Sequence, residues 1–194
     1  MDGGSKIVVQ MHGEPGSGKS TLARALGPYI GAIVLDKDIV KSALLRAGVS
    51  EELAGPASYE AYRGVAASLL GQEYSIVLDN PIYWLVALEK SRQLAVDAGA
   101  MYLMIECVCP DRSELDRRLQ ARDAMESQPR VPLDLNQHPG AIVTLDQPRL
   151  TLDTTRPFAE LVDEAVAYVE HLTPRPPFHV VERGRSRVGE SVTS

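Results

Sequence analysis

Cysteine is scarce in this chain, with two residues in 194, Cys107 and Cys109. They stand two apart in an apparent strand, so both side chains face one way with no second pair to complete a metal site. They read as small buried hydrophobes. Long apolar runs are missing too, since no window reaches the roughly eighteen apolar residues that a membrane span requires. The opening residues Met1-Asp2-Gly3-Gly4-Ser5-Lys6 lack the basic segment and apolar stretch of a secretory signal. A cytoplasmic protein with no membrane partner is the expectation. Nor is there a surplus of positive charge: 20 Lys and Arg against 26 Asp and Glu give a net charge of −6. That removes the broad electrostatic footprint of a duplex-binding protein, although a local basic groove fits inside an acidic total.

What is present is ordinary globular material, 44% hydrophobic and 24% charged, in a chain long enough for one sizeable core. Apolar runs of four to eight residues alternate with stretches of helical period, the pattern of a parallel sheet covered on both faces. The pattern predicts strands near 6–11, 31–35, 75–78, 101–108 and 149–152, with helices near 19–26, 38–47, 58–71, 84–98, 111–122 and 157–171. Gly27-Pro28, Gly48, Gly71 and Gly99 are placed to stop the first four helices, and Pro157 to open the last. Prolines 129, 132, 139 and 148 with Gly140 break the alternation over 123–148, which predicts an irregular excursion of the kind that serves as a lid. From Thr173 to Ser194 little can be buried, and a flexible tail is expected. No internal repeat is visible.

The most informative stretch is Gly13-Glu14-Pro15-Gly16-Ser17-Gly18-Lys19-Ser20, which spells G-x-x-x-x-G-K-[ST] between the apolar run Ile7–Met11 and the amphipathic run that starts at Thr21. A backbone that wraps a triphosphate must visit conformations closed to residues with a Cβ and must aim several N–H groups inward. The following helix adds its positive end. Lys19 then reaches the β/γ-phosphates and the Ser20 hydroxyl ligates Mg²⁺. The nucleotide-binding set therefore runs from Gly13 through Thr21, with ATP and Mg²⁺ as cofactors.

Three further segments carry chemistry. Asp36-Lys37-Asp38 follows the second strand at the edge where ligands gather in open α/β sheets. Its two carboxylates fit either a phosphoryl-transfer site, one on Mg²⁺ and one taking a proton, or a helix cap. Ser75-Ile76-Val77-Leu78-Asp79 is an apolar strand ending in an acid that can help hold the metal ion. The adjoining Tyr83 and the single tryptophan, Trp84, fit a substrate pocket or plain packing. In the helix from Asp111 to Arg122, Arg118 and Arg122 share a face. They are placed either to neutralise a transferring phosphoryl group or to form surface ion pairs.

Taken together, the phosphate loop, the acidic pair, Ile76-Val77-Leu78-Asp79-Asn80-Pro81 and the Arg118/Arg122 helix resemble the P-loop kinases of small substrates. The resemblance spans about residues 6–172 and is nearest the zeta-toxin-like, polynucleotide-kinase-like and chloramphenicol-phosphotransferase-like group. It implies an α/β P-loop NTPase three-layer sandwich, a five-stranded parallel sheet with helices on both faces. The kinase domain would fill 1–172, with a lid at about 111–148, and the tail 173–194. It also implies Asp38 as the base toward the acceptor hydroxyl, Asp36 with Ser20 and Asp79 on the metal side, and Arg118 and Arg122 on the nucleotide phosphates. The Leu152-Asp153-Thr154-Thr155 turn is implied to lie near the adenine. Lys41 departs from the common Asp-x-Asp-x-x-Arg form.

The function expected from this is an ATP-dependent kinase acting on a hydroxyl of a small molecule, with Asp38, Lys19, Arg118 and Arg122 as its catalytic residues. A polynucleotide or RNA end kinase is the alternative, disfavoured by the acidic total. A nucleotide-hydrolysing switch is a third reading. It is disfavoured because there is no Asn-Lys-x-Asp motif and too little chain for the helical lid domain of a ring-forming ATPase.

Overall fold

A computed structural model describes residues 6–128 and 148–173 of the chain. Five strands, β1 (Ile7–His12), β2 (Ala32–Asp36), β3 (Ser75–Asp79), β4 (Met101–Val108) and β5 (Leu150–Asp153), form one sheet in the order β2-β3-β1-β4-β5. Every pairing is parallel. Six helices connect and follow them: α1 (Lys19–Tyr29), α2 (Lys37–Arg46), α3 (Glu51–Gly71), α4 (Leu85–Asp97), α5 (Arg112–Ala121) and α6 (Phe158–Leu172). This is an α/β fold, and the expected five-stranded parallel sheet is present.

The two-residue period of β1 sorts its side chains between two cores. Ile7, Val9 and Met11 face α1 and α6, meeting Leu22, Leu26, Leu161 and Val169. Val8 faces the other way, toward Tyr62, Ala66 and Leu70 of α3 and Ala95 of α4. Strands buried on both sides read as continuous apolar runs, which is why they stand out in the sequence. Behind the carboxyl ends of the strands a buried polar network fastens the layers. The Gln10 side-chain amide donates to the Asn80 carbonyl at 2.6 Å, and the Tyr62 hydroxyl donates to Asn80 Oδ1 at 2.8 Å and lies 3.2 Å from the Leu35 carbonyl.

Three boundaries differ from the sequence pattern, each for a local reason. The first helix does not stop at Gly27-Pro28. It runs to Tyr29, the Ile30 amide still donates to the Leu26 carbonyl at 3.1 Å, and Gly31 takes the left-handed turn. Gly27 serves close approach instead, since a Cβ there would sit 2.6 Å from Val34 Cγ2. The third helix starts at Glu51, seven residues before position 58, and carries Pro56 in its interior, with Glu51 and Glu52 favouring its positive N-terminal end. At its other end Gly71 is the last helical residue, and the left-handed position falls to Glu73 (φ 67). Gly48 and Gly99 follow α2 and α4 with positive φ, as expected of helix-stopping glycines.

The expected lid and tail lie largely outside the described residues, at 129–147 and 174–194. The beginning of the excursion, 123–128, lies against α2. Ser127 Oγ accepts from the Ser42 hydroxyl at 2.9 Å and donates to the Asp38 carbonyl at 3.1 Å, and Arg46 pairs with Glu126 at 3.0 Å.

Candidate active site

β1 is the middle strand, and the phosphate loop leaves its carboxyl end directly. Gly13 (φ 131) presses against β4, where a Cβ would come within 2.1 Å of the Cys107 carbonyl oxygen and 2.8 Å of Ser17 Oγ. No other residue fits. Gly16 and Gly18 also have positive φ, and Gly18 caps α1, so the first N–H groups of that helix, at Lys19, Ser20 and Thr21, are left for an anion. The Lys19 ammonium folds back on the loop, donating to the Glu14 carbonyl at 2.8 Å, and its side chain is buried. Burial holds its pKa below the ordinary lysine value, while the charge of Asp79 pulls the other way. A buried ammonium of this kind is charge that a phosphate oxygen can pair.

Asp79 ends β3 beside it. Burial pushes its carboxyl up to about 6 in spite of the Ser20 hydroxyl that donates to it. Its Oδ2 is buried without a hydrogen-bond partner. A buried, partnerless carboxylate oxygen next to a serine hydroxyl is the donor chemistry that Mg²⁺ takes. Asp36 is engaged differently. Its Oδ1 accepts the Asp38 amide at 2.9 Å as the N-cap of α2, and its Oδ2 pairs with Arg24 at 3.2 Å. The acidic pair thus divides, with Asp36 capping the helix and Asp38 facing the cleft.

That cleft, of about 1010 Å³, lies over the carboxyl ends of the strands. One wall is the loop with Lys19, Ser20 and Thr21. Arg118, Arg122 and the Thr154–Thr155 turn lie on the same side, and Asp38, Tyr59, Tyr83 and Trp84 line the rest. Asp38, Asp79 and Arg122 are all near enough to bear on the Lys19 charge. Arg118 is held in place by Thr154, donating to its Oγ1 and its carbonyl at 2.9 Å each, and by Glu114 at 2.7 Å. These arginines are therefore part of the cleft while Glu114 anchors one of them. Tyr83 is buried, with its hydroxyl 3.4 Å from the Gly13 carbonyl, and packs edge-on against Trp84. It serves packing and lining at once.

Two contributors are not singled out by the sequence reading. Lys37 pairs with Asp38 at 3.1 Å and sits over the Tyr59 ring at 5.1 Å from its centroid. Lys37 lies inside the acidic motif and was open to notice. Tyr59 comes from α3, and only the packing of that helix on α2 brings it to the cleft.

The chain matches the AAA domain family over residues 8–138. No curated protein matches it. Among solved structures it resembles a candidate kinase from Chloroflexus aurantiacus, 22% identical with a TM-score of 0.67, over 87% of this chain and 98% of that one. It also resembles the APS kinase of Mycobacterium tuberculosis in complex with AMPPNP and APS, 19% identical with a TM-score of 0.62, over 86% and 98%. A gluconokinase from Sinorhizobium meliloti is 19% identical with a TM-score of 0.53, over 89% and 95%. Likenesses at this identity establish the fold.

Proposed function

The chain belongs to the AAA domain family, and on that premise we propose that it is an ATP-dependent kinase that transfers the γ-phosphoryl group to a hydroxyl of a small molecule. The observation that carries the reading is the placement of Asp38, a carboxylate 27% exposed that lines the same cleft as Lys19 and the phosphate loop and whose charge bears on Lys19. An acceptor lying between them has a base at its hydroxyl and a cation at the phosphates, the arrangement that in-line phosphoryl transfer uses. The kinase neighbours, one of them complexed with AMPPNP, support the same class of chemistry.

In this reading the loop amides and Lys19 hold the β- and γ-phosphates. Ser20 and Asp79 would hold Mg²⁺, which supplies positive charge to the phosphates when bound. Asp36 acts through the cap that fixes the start of α2. Asp38 accepts the acceptor's O–H proton, the freed oxygen bonds to the γ-phosphorus, and the bond to the β–γ bridging oxygen breaks to release ADP. Arg118 and Arg122 neutralise charge on the transferring group.

ATP turnover measured alone, and then with a panel of hydroxyl-bearing metabolites, nucleosides and antibiotics, tests the reading. Turnover that rises with an acceptor and yields a phosphorylated product supports it. Hydrolysis that no hydroxyl compound diverts would replace it with the switch reading.

A further inference from the structure

The cleft is a positive island in an acidic protein. Seven of its lining side chains are cationic and three are carboxylates, in a chain whose net charge is −6. Mg·ATP, a dianion, would meet the cations of the loop and of α5, and Lys37 and Lys41 are the lining cations that α2 supplies together with Asp38. The two lysines stand four apart on one face of α2, and both line the cleft. Their side chains are recessed, 13% and 17% exposed.

We propose that the acceptor is an oxyanion-bearing hydroxyl compound, whose anionic group is held by Lys37 and Lys41 while its hydroxyl meets Asp38. This rests on the kinase reading above. Each lysine can take such a group at little cost. Lys41 pairs at 3.2 Å with Glu51, whose side chain is 78% exposed, and an ion pair that wet is weak and readily exchanged. Lys37 has three N–H donors, so it can face an oxyanion while staying beside Asp38 Oδ1 and over the Tyr59 ring. A neutral acceptor would cover both ammoniums without replacing the water it removes, which costs free energy. A cationic acceptor would add to an existing excess. Tyr59 and Trp84 offer rings to the uncharged part of the ligand. Carboxylates and phosphate esters share this chemistry, and the test separates them.

Two measurements are needed, with full-length protein whose folding is checked by thermal melting. In the first, AMPPNP and Mg²⁺ fill the phosphate loop and inorganic sulfate is titrated against chloride at constant ionic strength, with the single tryptophan, Trp84, as fluorescent reporter. A saturable response is expected that weakens about tenfold in Lys41→Met, the loss of one charged hydrogen bond. Lys90→Met, which removes the same charge from α4 outside the cleft, should leave it unchanged. Absence of the response, or the same response in Lys41→Met, overturns the anion subsite.

In the second, kcat/KM for transfer is compared within matched pairs: gluconate and glucose, glycerate and glycerol, a nucleoside monophosphate and its nucleoside. The anionic member should lead by about tenfold or more, and Lys41→Met should narrow the gap. Whether the carboxylate or phosphate pairs show the preference identifies the source of the charge. Equal transfer within every pair overturns the subsite and leaves the kinase standing. Saturable sulfate binding with no transfer to any compound overturns the kinase and leaves the subsite.

Discussion

Asp36 and Asp79 are register partners at the carboxyl ends of adjacent strands, two acids side by side at the head of the sheet. Their surroundings separate them. Asp36 gains a backbone amide and the Arg24 guanidinium, whereas Asp79 has a buried oxygen with no partner and feels the charge of Asp36 as well as its own burial. The acid with unmet demand is the one beside Ser20, where the proposed reading would put Mg²⁺.

The Asp79 carboxyl, raised from 3.8 to about 6, gives this demand a pH signature in the metal-free protein. The folded state holds the proton more tightly, so the stability it contributes is full below the unfolded value and is lost as pH rises through about 6. Two pKa units correspond to roughly 3 kcal/mol. His12, lowered by burial from 6.5 to about 4, runs the opposite way over much of the same window. Denaturant unfolding of wild type and Asp79→Asn across that range cancels the histidine. The wild type should lose stability relative to the variant as pH rises, and a difference that does not change with pH refutes the assignment.

Asp38→Asn keeps the shape and leaves the Asp36 cap of α2 in place, while removing the proton acceptor. Transfer should fall by roughly a hundredfold or more with ATP affinity little changed. Titrating ATP and timing transfer in both proteins checks this. Equal rates would remove Asp38 from the mechanism, and a parallel loss of ATP affinity would place it on the metal.

Lys19→Ala should abolish nearly all turnover, by about a hundredfold at least, in a protein that still melts cooperatively. In the proposed reading its ammonium serves the phosphates, while the loop is shaped by its own backbone and glycines. Normal turnover in the folded variant would sink the nucleotide-site reading.

Two helical glycines should answer the same substitution with opposite signs. At Gly64 of α3 an added methyl would meet nothing within 4 Å, so Gly64→Ala should stabilise by about 0.5–1 kcal/mol. Gly27 of α1 meets Val34 Cγ2 at 2.6 Å and the Ala32 carbonyl at 3.1 Å, so Gly27→Ala should destabilise. Denaturant midpoints measure both, and a stabilised Gly27→Ala would show that α1 does not need its close seat on β2.

The strands were legible because burial on both faces writes them as unbroken apolar runs, and the loop because phosphate imposes its spacing. Helix ends were less so. Gly27-Pro28 has the composition of a stop, yet it is used for contact with β2, a tertiary demand that no local rule carries. Pro56 likewise hides the first turns of α3, which begin early enough to seat Tyr59 beside Lys37. At the site, the acidic motif announced itself, and the cap that the residues allowed falls to Asp36, which the resemblance had put on the metal side. Which acid caps and which faces the cleft depends on where Arg24 of α1 arrives.

β1 is hydrogen-bonded along both edges and covered on both faces, and Gln10 ties it to Asn80 from within. Its central amides should therefore be among the slowest to exchange with deuterium. The phosphate loop therefore hangs from an interior strand of the sheet, and deuterium exchange should find its root among the well-protected segments while the loop amides exchange sooner.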